Sequence, residues 1–150
     1  QNRYMSALFE TRLAILDQHP RAYAASATLM AYPPAWLEAH WQVYDNAITN
    51  APATNEERQV MRERIDALRS FDGSAWSAGL TLPVLILGAR DDMVVPAFLQ
   101  DELAAGLPGA RKTMLDTGGH YFPVSRPDAF TANVAEWISE IAARAAPTGS

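Results

Sequence analysis

The run Leu-Pro-Val-Leu-Ile-Leu-Gly at residues 82–88 constrains this chain more than any other segment. It is apolar throughout and of strand length, the pattern of a parallel strand covered on both faces. Residues 96–107 follow as an amphipathic helix, with Phe98, Leu99, Leu103 and Leu107 expected to point inward. Residues 110–116 (ARKTMLD) read as a second, shorter strand. Gly118 and Gly119 then turn the chain, and Pro127 opens a last helix carrying Phe130, Val134, Trp137, Ile138 and Ile141. Strand, helix, strand, loop and helix in this order make an α/β architecture. Two parallel strands cannot cover both faces and both edges of so apolar a run, and two strands alone are marginal. The expectation is either a homo-oligomer joined through the sheet or more sheet upstream of Gln1.

Residues 4–70 have a different character, helical and without a convincing strand. Met5, Leu8, Phe9, Leu13 and Leu16 recur at three- and four-residue steps, one apolar helix stripe. Pro20 opens a second helix, since proline is tolerated in a first turn. The Pro33-Pro34 pair starts a third, with Trp36, Leu37, Trp41, Tyr44 and Ile48 on one side. Thr54-Asn55-Glu56-Glu57 has the form of a capping box for a fourth, continued by Val60, Met61, Ile65 and Leu68. Arg58, Arg62, Arg64 and Arg69 interleave with acids there and read as a solvated face. The organisation expected is a helical part over 1–79, an α/β part over 80–146 and a loose tail at 147–150.

Composition narrows the function. The 150 residues are 49% hydrophobic and 19% charged, the balance of a globular chain rather than a disordered one. A net charge of −5 argues against a nucleic-acid partner, which needs a basic face. With no cysteine there is no disulfide, thiolate nucleophile or Cys-ligated metal. No apolar run approaches the roughly 20 residues of a membrane span, and no signal segment opens the chain, so a cytoplasmic setting without membrane partners is the expectation. No two histidines have metal-ligand spacing, so no metal is expected, and no cofactor motif is present.

In open α/β sheets functional groups gather beyond the carboxyl ends of the strands. The first such end reads Gly88-Ala89-Arg90-Asp91-Asp92-Met93-Val94-Val95-Pro96, the second Asp116-Thr117-Gly118-Gly119-His120-Tyr121-Phe122-Pro123. An acid on one loop and a histidine on the next can meet. A carboxylate that accepts from one imidazole nitrogen fixes the tautomer and frees the other nitrogen as a general base. Of the other histidines, His19 reads as a solvated residue at a helix junction. His40 sits between Trp36 and Tyr44, where packing or a pocket role are both open.

The stretch PVLILGARDDMVVP, followed after one βα unit by GGHYFPVSRPDAF and a helix with Trp137, resembles the C-terminal end of the α/β-hydrolase fold. In that fold the triad runs nucleophile, acid, histidine in chain order. The resemblance implies Asp91, three residues after Gly88, as the acid and His120 as the base. Asp92 is the alternative acid, because the segment carries one more residue before Pro96 than many relatives do. The helical first part then looks like a cap over the site, with Trp36, His40, Trp41, Tyr121 and Phe122 as candidate contacts to a small-molecule substrate. Arg3 and the segments FETRLAILDQHPRAY, AYPPAW and RIDALRSFD are similar to the pyrimidine-utilisation aminoacrylate hydrolases. Tyr121 and Phe122 depart from that subgroup's pattern and leave the substrate open among small esters, amides and enamine-like compounds.

The family's nucleophile elbow, G-x-S-x-G between a strand and a helix, is not in this chain. The nearest string, Ala75-Trp76-Ser77-Ala78-Gly79, follows a helix and precedes a strand, the reverse context, so Ser77 reads as a linker serine. The attacking species would be water or an upstream serine, and the isolated chain is expected to be inactive. The rival reading is a non-catalytic helical interaction module derived from the hydrolases. Geometry separates the two: the catalytic ancestry requires a carboxylate of Asp91 or Asp92 within hydrogen-bond reach of His120.

Overall fold

The computed structural model describes residues 2–73, 77 and 79–145. The chain forms two compact units, Gln1–Ala75 and Trp76–Ser150. The expected loose tail at 147–150 lies outside the described residues. Among the described residues, no helix is long and apolar enough to cross a membrane.

The first unit is built from helices α1 (Arg3–Leu16), α2 (Pro20–Ala31), α3 (Pro34–Ala39), α4 (Gln42–Thr49) and α5 (Asn55–Ser70). Four of these starts have a local cause. The Asn2 side chain accepts from the Met5 N–H and caps α1, and prolines occupy the first turns of α2 and α3. The capping box of α5 forms as the sequence predicts: Glu57 N–H donates to Thr54 Oγ1 at 3.1 Å, and Glu57 Oε2 accepts from the Thr54 N–H at 2.9 Å. The backbone N–H groups of Thr54 and Ala53 hold the Glu57 carboxyl below its ordinary range. Helix α1 packs on α2 and α5, and α2 packs on α4. Phe9, Leu16, Tyr23 and Ile65 form the buried core, flanked by Met5, Leu13, Ile15 and Met61. The α1 stripe therefore works as its period predicts, whereas Val60 and Leu68 of the α5 stripe stay exposed.

The single helix expected across Trp36 to Ile48 is broken in two. His40 adopts φ −128°, ψ 43°, its backbone N–H bonds to the Leu37 carbonyl, and its ring Nδ1 bonds the Trp36 carbonyl at 2.8 Å. The side chain thus takes the carbonyl that the backbone N–H of residue 40 would occupy in a continuous helix. Among the described residues of this unit, five helices stand where the periodicity gave four.

The second unit has strand β1 (Leu85–Ala89), helix α6 (Ala97–Ala105), strand β2 (Arg111–Leu115), a short helix α7 (Phe122–Ser125) and the long α8 (Pro127–Ala145). β1 and β2 pair in parallel, Leu85 opposite Arg111 through Ala89 opposite Leu115. Their carboxyl ends therefore lie side by side, which brings the two loops of interest together. Arg111 ties β2 to α8 through Glu136 at 2.6 Å and through Glu140. α6 packs on β1, but only partly by the face expected: Phe98 and Leu103 are exposed and Gln100 is buried, while Leu107, just beyond the helix, is buried as its period predicts. The cause lies in the strand. A Cβ at Gly88 would sit 2.0 Å from Gln100 Oε1, so the missing side chain opens the space that the Gln100 carboxamide fills. α7 is the element that periodicity did not reveal; at four residues it is too short to carry a helical period.

Candidate active site

The acid loop leaves β1 at Ala89 and enters α6 at Ala97. Asp92 turns its side chain into the fold, where only 4% of it remains exposed. Its Oδ1 accepts the backbone N–H groups of Val94 and Val95, both at 2.8 Å. Its Oδ2 lies 3.0 Å from His120 Nδ1. An ionised carboxylate can only accept, so Nδ1 carries the proton in this contact and Nε2 is left with its lone pair. The arrangement can therefore hold an imidazole in one tautomer with its outer nitrogen ready to take a proton.

The preference for Asp91 as the partner of His120 is corrected by this geometry. Asp91 points to the other side of its turn. It accepts from the Thr117 hydroxyl at 2.6 Å, from Gly118 N–H at 2.9 Å and from Gly119 N–H at 2.8 Å. Partial burial pushes its carboxyl up, but these three donors outweigh burial and hold it below its ordinary value of 3.8. Adjacent residues in a turn project their side chains to different sides, so one aspartate of the pair meets the ring and the other meets the loop backbone. The extra residue before Pro96 is the sequence signal for the second position.

His120 follows the turn after β2. Gly119 has φ +66°, a left-handed conformation that glycine tolerates. A Cβ on Gly118 would lie 2.6 Å from Phe122 Cβ, so this position allows α7 to pack against the turn. The buried Ser125 hydroxyl donates to the Gly118 carbonyl at 2.5 Å. Thr117, Ser125 and Gln100, which the sequence reading did not single out, thus support the two loops. Gln100 does so through a long contact from Nε2 to the Val95 carbonyl at 3.4 Å.

Of the candidate substrate contacts, Tyr121 is exposed and its ring lies 5.4 Å from that of His120, tilted. Phe122 packs against Phe130 of α8, ring centroids 6.0 Å apart. Trp36, His40 and Trp41 belong to the first unit. There Trp36 stacks between Tyr32 at 4.8 Å and His40 at 4.1 Å, and Trp41 stacks on Tyr44 at 4.5 Å. Ser77 precedes β1 rather than following a strand, and its neighbours Trp76 and Ala78 lie outside the described residues. Among the described residues, no group of three or more His, Cys, Asp or Glu is placed to hold a metal ion.

A buried strand, an acid loop, a crossover helix, a parallel strand and a glycine-turned histidine loop occur here in the order and register of one fold. The chain has the architecture of the C-terminal part of the α/β-hydrolase fold. An α/β-hydrolase enzyme from a Medee basin deep-sea metagenome library superposes with a TM-score of 0.81 at 18% identity, over 92% of this chain and 52% of that one.

In sequence, the chain is similar to proteins that bear the name carbamate hydrolase RutD. A protein of Variovorax paradoxus (strain S110) that bears the name carbamate hydrolase RutD is 33% identical over 147 residues, 97% of this chain and 55% of that protein. Its namesake in Caulobacter sp. (strain K31) is 36% identical over 146 residues, 93% of this chain and 53% of that protein. The chain thus spans about half the length of the curated relatives it matches. No protein-family model matches it.

Proposed function

We propose that this chain supplies the acid and the base of a hydrolase, Asp92 orienting His120, for a small substrate with a carbamate, amide, ester or aminoacrylate-type group. The observation that carries the reading is the 3.0 Å contact between Asp92 Oδ2 and His120 Nδ1, with Asp92 buried and locked by two backbone N–H groups. Nε2 of His120 takes a proton from the attacking water or from an upstream nucleophile, and the imidazolium that forms is stabilised by the Asp92 carboxylate. The same nitrogen then returns the proton to the leaving nitrogen or oxygen, so that water is added across the broken bond between carbon and that atom and the base is regenerated. Likeness to proteins named carbamate hydrolases supports the substrate class.

The nucleophile and the oxyanion donors come, in this proposal, from a further part of the fold or from a partner chain, which also covers the free edge of β1. The acid–base pairing favours this reading over a non-catalytic interaction module, since it holds Nε2 of His120 in the tautomer that accepts a proton. The test is hydrolysis of a panel of carbamates, amides and esters by the protein supplied with its nucleophile. His120→Ala and Asp92→Asn are expected to abolish turnover, and full activity in either variant would overturn the proposal. The 150-residue chain alone is expected to show none; turnover lost on His120→Ala would place a nucleophile within this chain.

A further inference from the structure

Asp92 needs no help from the histidine loop to keep its place, because its two backbone donors come from Val94 and Val95 of its own turn. The histidine loop is different. Its turn residues Gly118 and Gly119 lack side chains to pin them, and the fixed contacts reach it from outside. One is the Ser125 hydroxyl on the Gly118 carbonyl. Three more converge on Asp91, 26 to 28 residues away in sequence. Oδ1 takes both glycine N–H groups, at 2.9 and 2.8 Å, and Oδ2 takes the Thr117 hydroxyl at 2.6 Å. A single carboxylate on the loop after β1 thus holds three consecutive residues on the loop after β2, and the next residue is His120.

We propose that Asp91 is a positioning residue: it clamps residues 117–119 so that the imidazole of His120 is delivered to Asp92. The proposal rests on the acid–base reading of Asp92 and His120, and it assigns the adjacent aspartates separate duties. Asp92 orients the ring; Asp91 orients the backbone that carries the ring. Hydrogen bonds from N–H and O–H groups to an ionised carboxylate are among the stronger kinds, and three on one side chain hold a glycine turn against its large conformational freedom.

The geometry also predicts which replacement is tolerated. In Asp91→Asn the amide oxygen still accepts both glycine N–H groups, and the amide nitrogen donates to the Thr117 oxygen. In Asp91→Ala all three bonds are lost. The experiment is nitrogen-15 NMR on the full 150-residue chain, following amide exchange at Gly118 and Gly119 and the tautomer of His120 through its Nδ1–H signal. Asp91→Ala is expected to lower protection of the two amides on the order of 10- to 100-fold and to lose or broaden the Nδ1–H signal. Asp91→Asn is expected to keep both. Asp91→Ala with an unchanged Nδ1–H signal overturns the proposal, whatever happens to the amides.

If Asp91→Ala does not fold, the pair Asp91→Asn and Asp91→Leu decides, since leucine is close to the carboxylate in shape but accepts none of the three hydrogen bonds. Loss of the signal only in Asp91→Leu supports the clamp; its survival in both, or its loss in both, overturns it. Asp92→Asn separates this proposal from the reading beneath it. A native Nδ1–H signal in that variant would refute the Asp92–His120 pairing itself, independently of Asp91.

Discussion

Replacing Gly88 with alanine tests the unexpected burial of Gln100. The new Cβ would lie 2.0 Å from Gln100 Oε1, 2.2 Å from Nε2 and 2.5 Å from Cδ, so the whole carboxamide has to leave. Gln100 is 7% exposed, which leaves little room for it to move into. Overpacking of this kind costs about 1–3 kcal/mol. The bonds lost with the displaced carboxamide are slight: one contact to the Val95 carbonyl at 3.4 Å, and an Oε1 that has no hydrogen-bond partner among the described residues.

Gln100→Ala alone therefore exchanges a small void and a weak bond for relief of a buried, unpaired acceptor, a net cost of about 1 kcal/mol. In the double variant the Cβ no longer meets the carboxamide. The two changes are expected to couple favourably by about 1–2 kcal/mol, well above the few tenths that independent sites show. The assay is a double-mutant cycle in urea, read from exchange of the β1 amides so that the second unit is followed by itself. Additivity to within about 0.5 kcal/mol would refute the reasoning, since it would mean that Gln100 does not fill the place of the missing side chain.

Three further expectations concern the site and the caps. Asp92→Asn keeps an acceptor for Val94 and Val95 but presents an amide donor to Nδ1, so the imidazole takes the wrong tautomer. In a complete enzyme kcat is expected to fall about 10⁴-fold, with little change in stability, and a loss below about tenfold would refute the role. The Asp91 carboxyl is lower in the fold than its ordinary value of 3.8, so the stability it contributes is present above that value and disappears as pH falls through the lower native one. The amide shifts of Gly118 and Gly119 are expected to titrate below pH 3.8; a midpoint at or above it would contradict the three-donor account. Thr54→Ala removes the Oγ1 that caps α5 and is expected to cost about 1 kcal/mol in urea unfolding of the first unit, an unchanged midpoint counting against the cap.

Much of this protein is legible in its residues one after another. The period of Met5, Phe9, Leu13 and Leu16 marks α1 and its buried face, because a helix returns to one side every three or four residues. The apolar run before Gly88 marks a parallel strand, which forms over Leu85–Ala89 with Ile86, Gly88 and Ala89 buried, while Leu82 at the start of the run is 73% exposed. Thr54 with Glu57 marks a helix start, since both partners of the cap lie within one turn of chain. The two loops that carry chemistry are visible as well, as acid and histidine beyond successive strand ends. In each of these cases the physical cause is local, so the sequence alone determined the outcome.

What the tertiary structure decided is every choice that depends on a distant partner. Asp91 and Asp92 are identical in type and adjacent. Only the packing of β1 beside β2 sends one carboxylate to His120 and the other to the backbone of residues 117–119. The hydrophobic period of α6 ranked Phe98 and Leu103 above Gln100, yet the space left by Gly88 on the neighbouring strand reversed the order. The break at His40 needs a ring nitrogen to capture the Trp36 carbonyl, a bond that no hydropathy pattern records. Periodicity measures how much a residue avoids water, whereas the site is made by which atom faces which, and that is settled only when separate segments meet.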